Sequence, residues 1–584
     1  MELDLSEFAG TVPVDLIGGS AFPPVGQLAY QLTFPAYAFY WFILAHDSAL
    51  PAWYIPTPEA MPEYATLVLR QGVRDILQPA SRLRLETEIV PKYLGLRRWF
   101  ASKDDTVRSV KLARTALIGD NSVMLAEFDV QVGKRTDTYL IPLAVAWDDA
   151  PMGALELQLA LARVRQVRRT GLLTDAFAVD ALPQAVLAGL RAQSVLKMED
   201  GEVRFIATPK MAELNIPADA AIRILSAEQS NSSQIIGNAA MLKVLRRVHP
   251  GIHPEIEMSN HLTAIGYANT PALLGSVWRV LPDGTQQALI VLQAFLFNQG
   301  DGWQWTQDTL GKAIESLAGP EGQPIDTEHS VAPYITFAAT TGRRLAELHA
   351  ALAQPSDDPA FAPEKATQKD ADAWVADVSR QIDGALDAIK SAAAWPDADT
   401  LADADFLMAH QAELKAEIAN LAKSVPGALK TRIHGDFHLG QMLVAVDDVY
   451  LIDFEGEPAR PLNERRAKYS PFRDVAGLLR SFDYARAMAT SSIAVQTLRI
   501  GERTTPFLRT AHEAAVKSFL DAYRGVHEQA PQRWASVEAE PLLLDLFLIQ
   551  KAAYEISYEA ASRVTWLPVP LRGLADLARR LLAA

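Results

Sequence analysis

The period of the apolar residues changes once, near Trp305, and this change constrains the fold more than any other feature of the 584-residue chain. Upstream, short runs rich in β-branched and aromatic residues predict strands: VPVDLI (Val12–Ile17), TALIG, VMLAEFDVQV, DTYLIPLAVAW, IRIL, SQIIGN, MLKVLR, GSVWRVL and ALIVLQAFLF. Downstream, apolar residues recur every three to four positions over Pro333–Ala353, Asp370–Ala394, Ala402–Ala422, Asp474–Ala487 and Pro541–Arg563. That spacing predicts amphipathic helices. A single β-rich interruption, Thr431–Phe454, lies inside the helical half. A helical pattern at Tyr64–Leu77 reads as a linker helix, and the Pro/Asp-rich stretch Gln354–Thr367 as a loop. The predicted order is α+β in four parts: a short β segment (1–55), a linker helix and β-rich cap (56–195), a β-rich lobe (196–296) and a helical lobe (297–584).

Charge and composition exclude several classes. Lysine and arginine number 55 against 70 acidic residues, a net charge of −15; a nucleic-acid partner, which needs basic faces, is not expected. There is no cysteine, so disulfides and thiolate metal sites are excluded, in keeping with a reducing cytoplasm. The longest apolar run, Phe34–Ala45, falls short of the ~20 residues that span a bilayer; it reads as a buried strand pair. No charged-then-apolar targeting pattern opens the chain. The expectation is a cytoplasmic protein without a membrane.

The chemistry concentrates in TRIHGDFHLGQMLVAVDDVYLIDFEGEP, Thr431 to Pro458. His434, Gly435 and Asp436 open a polar loop, and Gln441 follows. MLVAV, a turn at Asp447 and Asp448, and VYLIDF predict a hairpin that returns the chain and brings Asp453 near that loop. Phosphoryl transfer needs one carboxylate to take or orient a hydroxyl proton, another to hold Mg²⁺ on the phosphates, and a polar group to complete the metal's oxygen shell. Asp436, Asp453 and Gln441 supply these roles.

HGDFHLGQ, IDFEGEPARPLNERR and SPFRDVAGLLRSFDYA resemble bacterial maltokinases, and PKYLGLRRWFASKD resembles the start of their cap; the resemblance runs over roughly residues 81–584. It implies a bilobal, protein-kinase-like (aminoglycoside-phosphotransferase-like) fold with a β-rich N-terminal cap and a short β-sheet tail domain. The implied activity is ATP-dependent phosphorylation of maltose at its anomeric hydroxyl, giving maltose 1-phosphate for trehalose and α-glucan metabolism. Asp436 matches the catalytic base, and Gln441 and Asp453 match Mg²⁺ ligands. Gln441 stands where related phosphotransferases carry Asn. Glu455 is an additional metal or water contact, and His434 a buttress of the loop.

In AEQSNSSQIIGNAAMLKVLRR, Lys243 is placed to reach the ATP phosphates, with Glu257 as its partner and Glu255 as runner-up. Ser230, Asn231 and Ser232 lie in a glycine-free turn whose hydroxyls and amides are offered to phosphate oxygens. Gln293, Phe295 and Leu296 mark the adenine hinge. Arg465, Arg466 and Arg473 are equally suited to substrate and to Asp474, Asp483 or Glu464. Trp99 and Phe100 read as cap core, His349 as a packed helix residue, and His249 and His253 as loop residues.

LDLSEFAGTVPVDLIGG and LAYQLTFPAYAFYWFIL resemble the C-terminal β domain of trehalose synthase, which interconverts maltose and trehalose. The resemblance implies substrate context and makes trehalose synthase a partner, by fusion or in a complex. Two rivals stand beside a maltokinase: a kinase for another sugar or amino-sugar alcohol, and a non-catalytic docking module for trehalose synthase.

Overall fold

The computed structural model describes residues 64–584 except 101–105, 150–151, 218–219, 227–230, 319–326, 393–394, 459, 495–497 and 584; of the first 63 residues it describes 2–3, 5, 8, 11–15, 22, 25, 30–31 and 41–45. The chain divides into two compact units, Met1–Thr66 and Leu67–Ala584. In the first, Val12–Asp15 pairs antiparallel with Phe42–Ala45, and Val25 packs against Leu3, Leu5, Phe22 and Phe42. Of the strand pair expected over Phe34–Ala45, residues 34–40 lie outside the described residues.

The second unit opens differently from expectation. In place of a helix over Tyr64–Leu77, a 3₁₀ turn spans Val73–Leu77 and the helix begins at Pro79. Two local causes are visible. Gly72 adopts φ +107, which a helix cannot contain. The Asp75 carboxylate also accepts the backbone N–H groups of Arg70 and Gln71, curling the chain back on itself.

The cap is an antiparallel sheet in the order Ala160–Gln166, Arg169–Asp175, Arg135–Trp147, Val123–Val132, Val107–Ile118. Trp99 and Phe100 are buried against Tyr139 in its core. A second antiparallel sheet of seven strands follows: Val195–Met198, Gly201–Ala207, Leu273–Val280, Gln286–Ala294, Ala240–Val244, Ser232–Ile236, Ile222–Ser226. The helix Pro254–Ala264 lies on this sheet through Ile256, which packs with Leu245, Leu273 and Val291.

The remainder is helical, including Thr327–Leu352, Gln368–Ser391, Phe472–Ala494, Leu498–Gln529 and Ala539–Ser562 around one apolar core. The expected single helix Ala402–Ala422 is two, Ala398–Ala409 and Gln411–Leu421. His410 breaks it: its backbone leaves the helical region and its Nδ1 folds back onto Phe406 O at 2.9 Å. The predicted hairpin forms as Met442–Ala445 and Asp448–Leu451. It is held on both sides. Gln299 N–H donates to Val444 O at 2.7 Å, and Leu451 N–H to Asn269 O at 2.8 Å. Among the described residues, no helix is long and apolar enough to cross a membrane.

Candidate active site

The loop His434–Asp436 has its shape imposed from outside. The backbone N–H groups of His434 and Gly435 donate to the two oxygens of Asp474, at 2.7 and 2.8 Å, from the start of the helix Phe472–Ala494. His349 Nε2 meets the same carboxylate at 3.2 Å. Burial alone would raise the Asp474 pKa; the His349 bond and charge and the Gly435 N–H outweigh it and hold the carboxyl below its usual range. His434 turns its ring to the hairpin, with Nε2 2.8 Å from Ile452 O. His349, expected as simple packing, is thus a brace of the loop.

The far side of the loop meets the turn after Asp453. Gly435 and Gly456 both have positive φ, +87 and +70, and a Cβ on Gly435 would lie 3.5 Å from Gly456 Cα. Asp453 itself has φ +65, unusual for a non-glycine residue. Gln441 O accepts the Ile452 N–H at 3.1 Å, which ties the Gln441 backbone to the residue before Asp453.

Lys243, on the strand Ala240–Val244 of the seven-stranded sheet, meets three carboxylates: Glu255 at 2.9 Å, Asp453 at 3.0 Å and Glu455 at 3.0 Å. Asn231 Nδ2 donates to Glu455 at 2.9 Å. Burial would lower the Lys243 pKa, but Asp453, Glu255 and Glu455 drive it well up, so the ammonium stays charged. Burial pushes the Glu255 carboxyl up despite the lysine, helped by the neighbouring Glu455 and Asp453. Oxygens of Glu255, Asp453 and Glu455 lie within 4.8 Å of one another. An all-oxygen set with surplus negative charge suits a hard ion such as Mg²⁺.

Three expectations need correction. Glu257 is not the partner of Lys243. Glu255 and Glu257 sit about 200° apart around their helix; Glu255 faces Lys243, while Glu257 binds Arg432 at 2.6 Å and Arg466 at 2.6 Å. Ser232 does not offer its hydroxyl to a phosphate: it is fully buried and accepts from Arg246 Nε at 2.8 Å, because strand alternation turns it inward. Gln293 is buried within its strand with Nε2 on Ser259 Oγ at 3.3 Å, the Phe295 N–H is spent on Ala239 O, and Leu296 O accepts from Asn298. A carbonyl oxygen accepts two bonds, so Leu296 O keeps capacity for a further donor. None of the three arginines pairs with Asp474, Asp483 or Glu464: Arg466 holds Glu257, Arg473 Nη2 lies 3.2 Å from Glu457, and Arg465 donates to the Glu455 carbonyl. Ser230 lies outside the described residues.

Residues 221–484 match the phosphotransferase enzyme family, and residues 1–41 match the C-terminal domain of maltogenic amylase. A glucosamine kinase of Mycolicibacterium smegmatis is 26% identical over 348 residues, covering 60% of this chain and 77% of that protein. A solved glucosamine kinase in complex with glucosamine, ADP and inorganic phosphate superposes with a TM-score of 0.56 at 21% identity, over 80% of this chain and 93% of that one. The chain carries a phosphotransferase-family, kinase-like fold. A trehalose synthase of Pimelobacter sp. is 57% identical over 44 residues, 8% of each chain.

A recess lies on the Asp436 side of the loop, lined by Asp436, Glu457, Arg460, Arg473, Lys551 and Tyr554. Lys551 Nζ lies 3.5 Å from Asp436 Oδ1 and 5.4 Å above the Tyr554 ring. Glu457 is held by Arg460 at 2.8 Å and Arg473 at 3.2 Å. Lys551 and Tyr554 escape a motif search because they come from the helix Ala539–Ser562, far downstream; the visible signal is a polar pair, Gln550 and Lys551, interrupting LLLDLFLI.

Proposed function

We propose that the protein transfers the γ-phosphoryl group of ATP to the anomeric hydroxyl of maltose, giving maltose 1-phosphate. The observation that carries the choice of a neutral acceptor is the charge pairing of the recess beside Asp436. Asp436 faces Lys551, Glu457 is held by two arginines, and Asp474 is spent on the loop. No lining carboxylate is left to receive the ammonium of an amino sugar, and leaving that charge unpaired is costly. The segment similar to trehalose synthase supports a disaccharide of glucose and makes that enzyme the proposed partner.

In this mechanism Asp436 accepts the sugar hydroxyl's proton as its oxygen attacks the γ-phosphorus, and the bond from that phosphorus to the β–γ bridging oxygen breaks to release ADP. Lys243 holds α/β-phosphate oxygens, and Glu255 fixes the lysine. Asp453, Gln441 and Glu455 would hold Mg²⁺, which when bound neutralises charge on the phosphates. Asn231 orients Glu455.

A glucosamine kinase is the second reading, favoured by the relatives' names. Maltose, glucose and glucosamine compared by ADP release, with ³¹P NMR of the product, decide between them. Maltose should give the highest kcat/KM and an anomeric phosphate; preference for glucosamine would overturn the assignment. Absence of turnover with all three, together with tight binding to trehalose synthase, would favour a docking module.

A further inference from the structure

The cap and the nucleotide lobe share a buried polar chain that ends at the phosphate side of the cleft. Asp175, at the end of a cap strand, is fully buried. Its Oδ2 accepts from Tyr93 OH at 3.0 Å and from Arg246 Nη1 at 2.7 Å, while its Oδ1 accepts the Phe177 N–H at 3.0 Å. Arg246 is fully buried as well, with its guanidinium 5.1 Å from the Trp99 ring of the cap. Its Nε donates to Ser232 Oγ at 2.8 Å, and Gln234 Nε2 donates to the cap's Phe177 O.

Ser232 starts the strand that pairs with the strand of Lys243: Ser232 lies opposite Val244, and Ser233 opposite Lys243. The residue before it, Asn231, donates to Glu455, which in turn meets Lys243. One guanidinium therefore pins the start of this strand to a cap carboxylate that lies outside the kinase lobes.

We infer that Asp175 and Arg246 are positioning residues for nucleotide binding: the cap's carboxylate orients Arg246, Arg246 anchors Ser232, and Ser232 sets the place of Asn231 and hence of Glu455 beside Lys243. Neither residue touches the nucleotide. Arg246 uses two nitrogens on different sides of its planar fork, Nη1 for Asp175 and Nε for Ser232, a geometry that the single ammonium of lysine does not reproduce. The inference rests on the nucleotide site proposed around Lys243.

The test measures Mg-ATP affinity by calorimetry, and KM for ATP and for the sugar by ADP release, in the wild type and in Arg246→Lys, Asp175→Asn and Tyr93→Phe. Arg246→Lys should raise the Kd and KM for ATP about tenfold, the scale of a hydrogen bond to a charged group, with a much smaller change in the sugar's KM. Tyr93→Phe removes a single bond to Asp175 and should move the same constants in the same direction by less; it serves as the readout if Asp175→Asn does not fold. Wild-type Mg-ATP affinity in both Arg246→Lys and Tyr93→Phe would overturn the inference while leaving the nucleotide site intact. Equal losses for ATP and sugar would also overturn it, marking the chain as general scaffolding. A wild-type protein that fails to bind Mg-ATP would remove the nucleotide site itself and the inference with it.

Discussion

Lys243 and Glu255 face each other at 2.9 Å, one from the middle of a strand and the other from the first turn of the helix Pro254–Ala264. The helix N-terminus also favours the acid there. Glu255→Gln should raise the KM for ATP, because Lys243 loses the charge of its nearest carboxylate, at 2.9 Å. Glu257→Gln should act on stability instead. Paired ADP-release kinetics and urea melts of the two variants separate these outcomes; a larger ATP defect in Glu257→Gln would restore the partner expected from sequence.

Asp436→Ala should lower kcat by roughly 10²–10⁴-fold, the usual worth of a positioned general base, with Mg-ATP binding retained. The fall is read from sugar-phosphate formation at saturating ATP. Near-normal turnover would remove Asp436 from the mechanism.

Breaking the pair between Glu257 and Arg432 leaves a guanidinium that is 2% exposed without its carboxylate. Glu257→Ala should therefore cost about 3 kcal/mol of stability, measured by urea unfolding. A loss below about 1 kcal/mol would show that Arg432 finds another partner.

Asp474 links stability to acid. Its folded-state pKa is depressed, so the unfolded chain binds that proton more tightly. The stabilisation is full above the ordinary carboxylate value of about 3.9 and is lost as pH falls through the lower folded value. Asp474→Asn should be less stable than wild type at pH 6 and should show a flatter loss of stability between pH 5 and pH 3. Parallel acid curves for the two proteins would contradict the bracing role.

How much of this was legible in the sequence follows from what each feature depends on. The hairpin that carries Asp453 was readable because alternation and a polar turn are local. The choice between Glu255 and Glu257 depends on how a helix is rotated against a sheet, which no local pattern encodes. The polar turn around Ser232 reads as open to a phosphate, whereas strand alternation sends its hydroxyl into the interior towards Arg246. Lys551 reaches Asp436 through tertiary packing alone. Gly72 and His410 moved helix boundaries by backbone and side-chain effects that outweigh apolar periodicity.

Two guanidiniums of the nucleotide lobe, Arg246 and Arg279, are fully buried, and each finds its carboxylate in the cap: Asp175 at 2.7 Å and Glu127 at 2.8 Å. A gene cut between the cap and the β-rich lobe of residues 196–296 would strip both counter-charges in a single step, take away cap side chains such as Trp99 and Phe177 that cover Arg246, and open to water the apolar cluster the two parts share. The smallest fragment of this chain that keeps that cluster covered includes the strands Val123–Val132 and Arg169–Asp175, so a dissection at the apparent lobe boundary near residue 196 should yield aggregate.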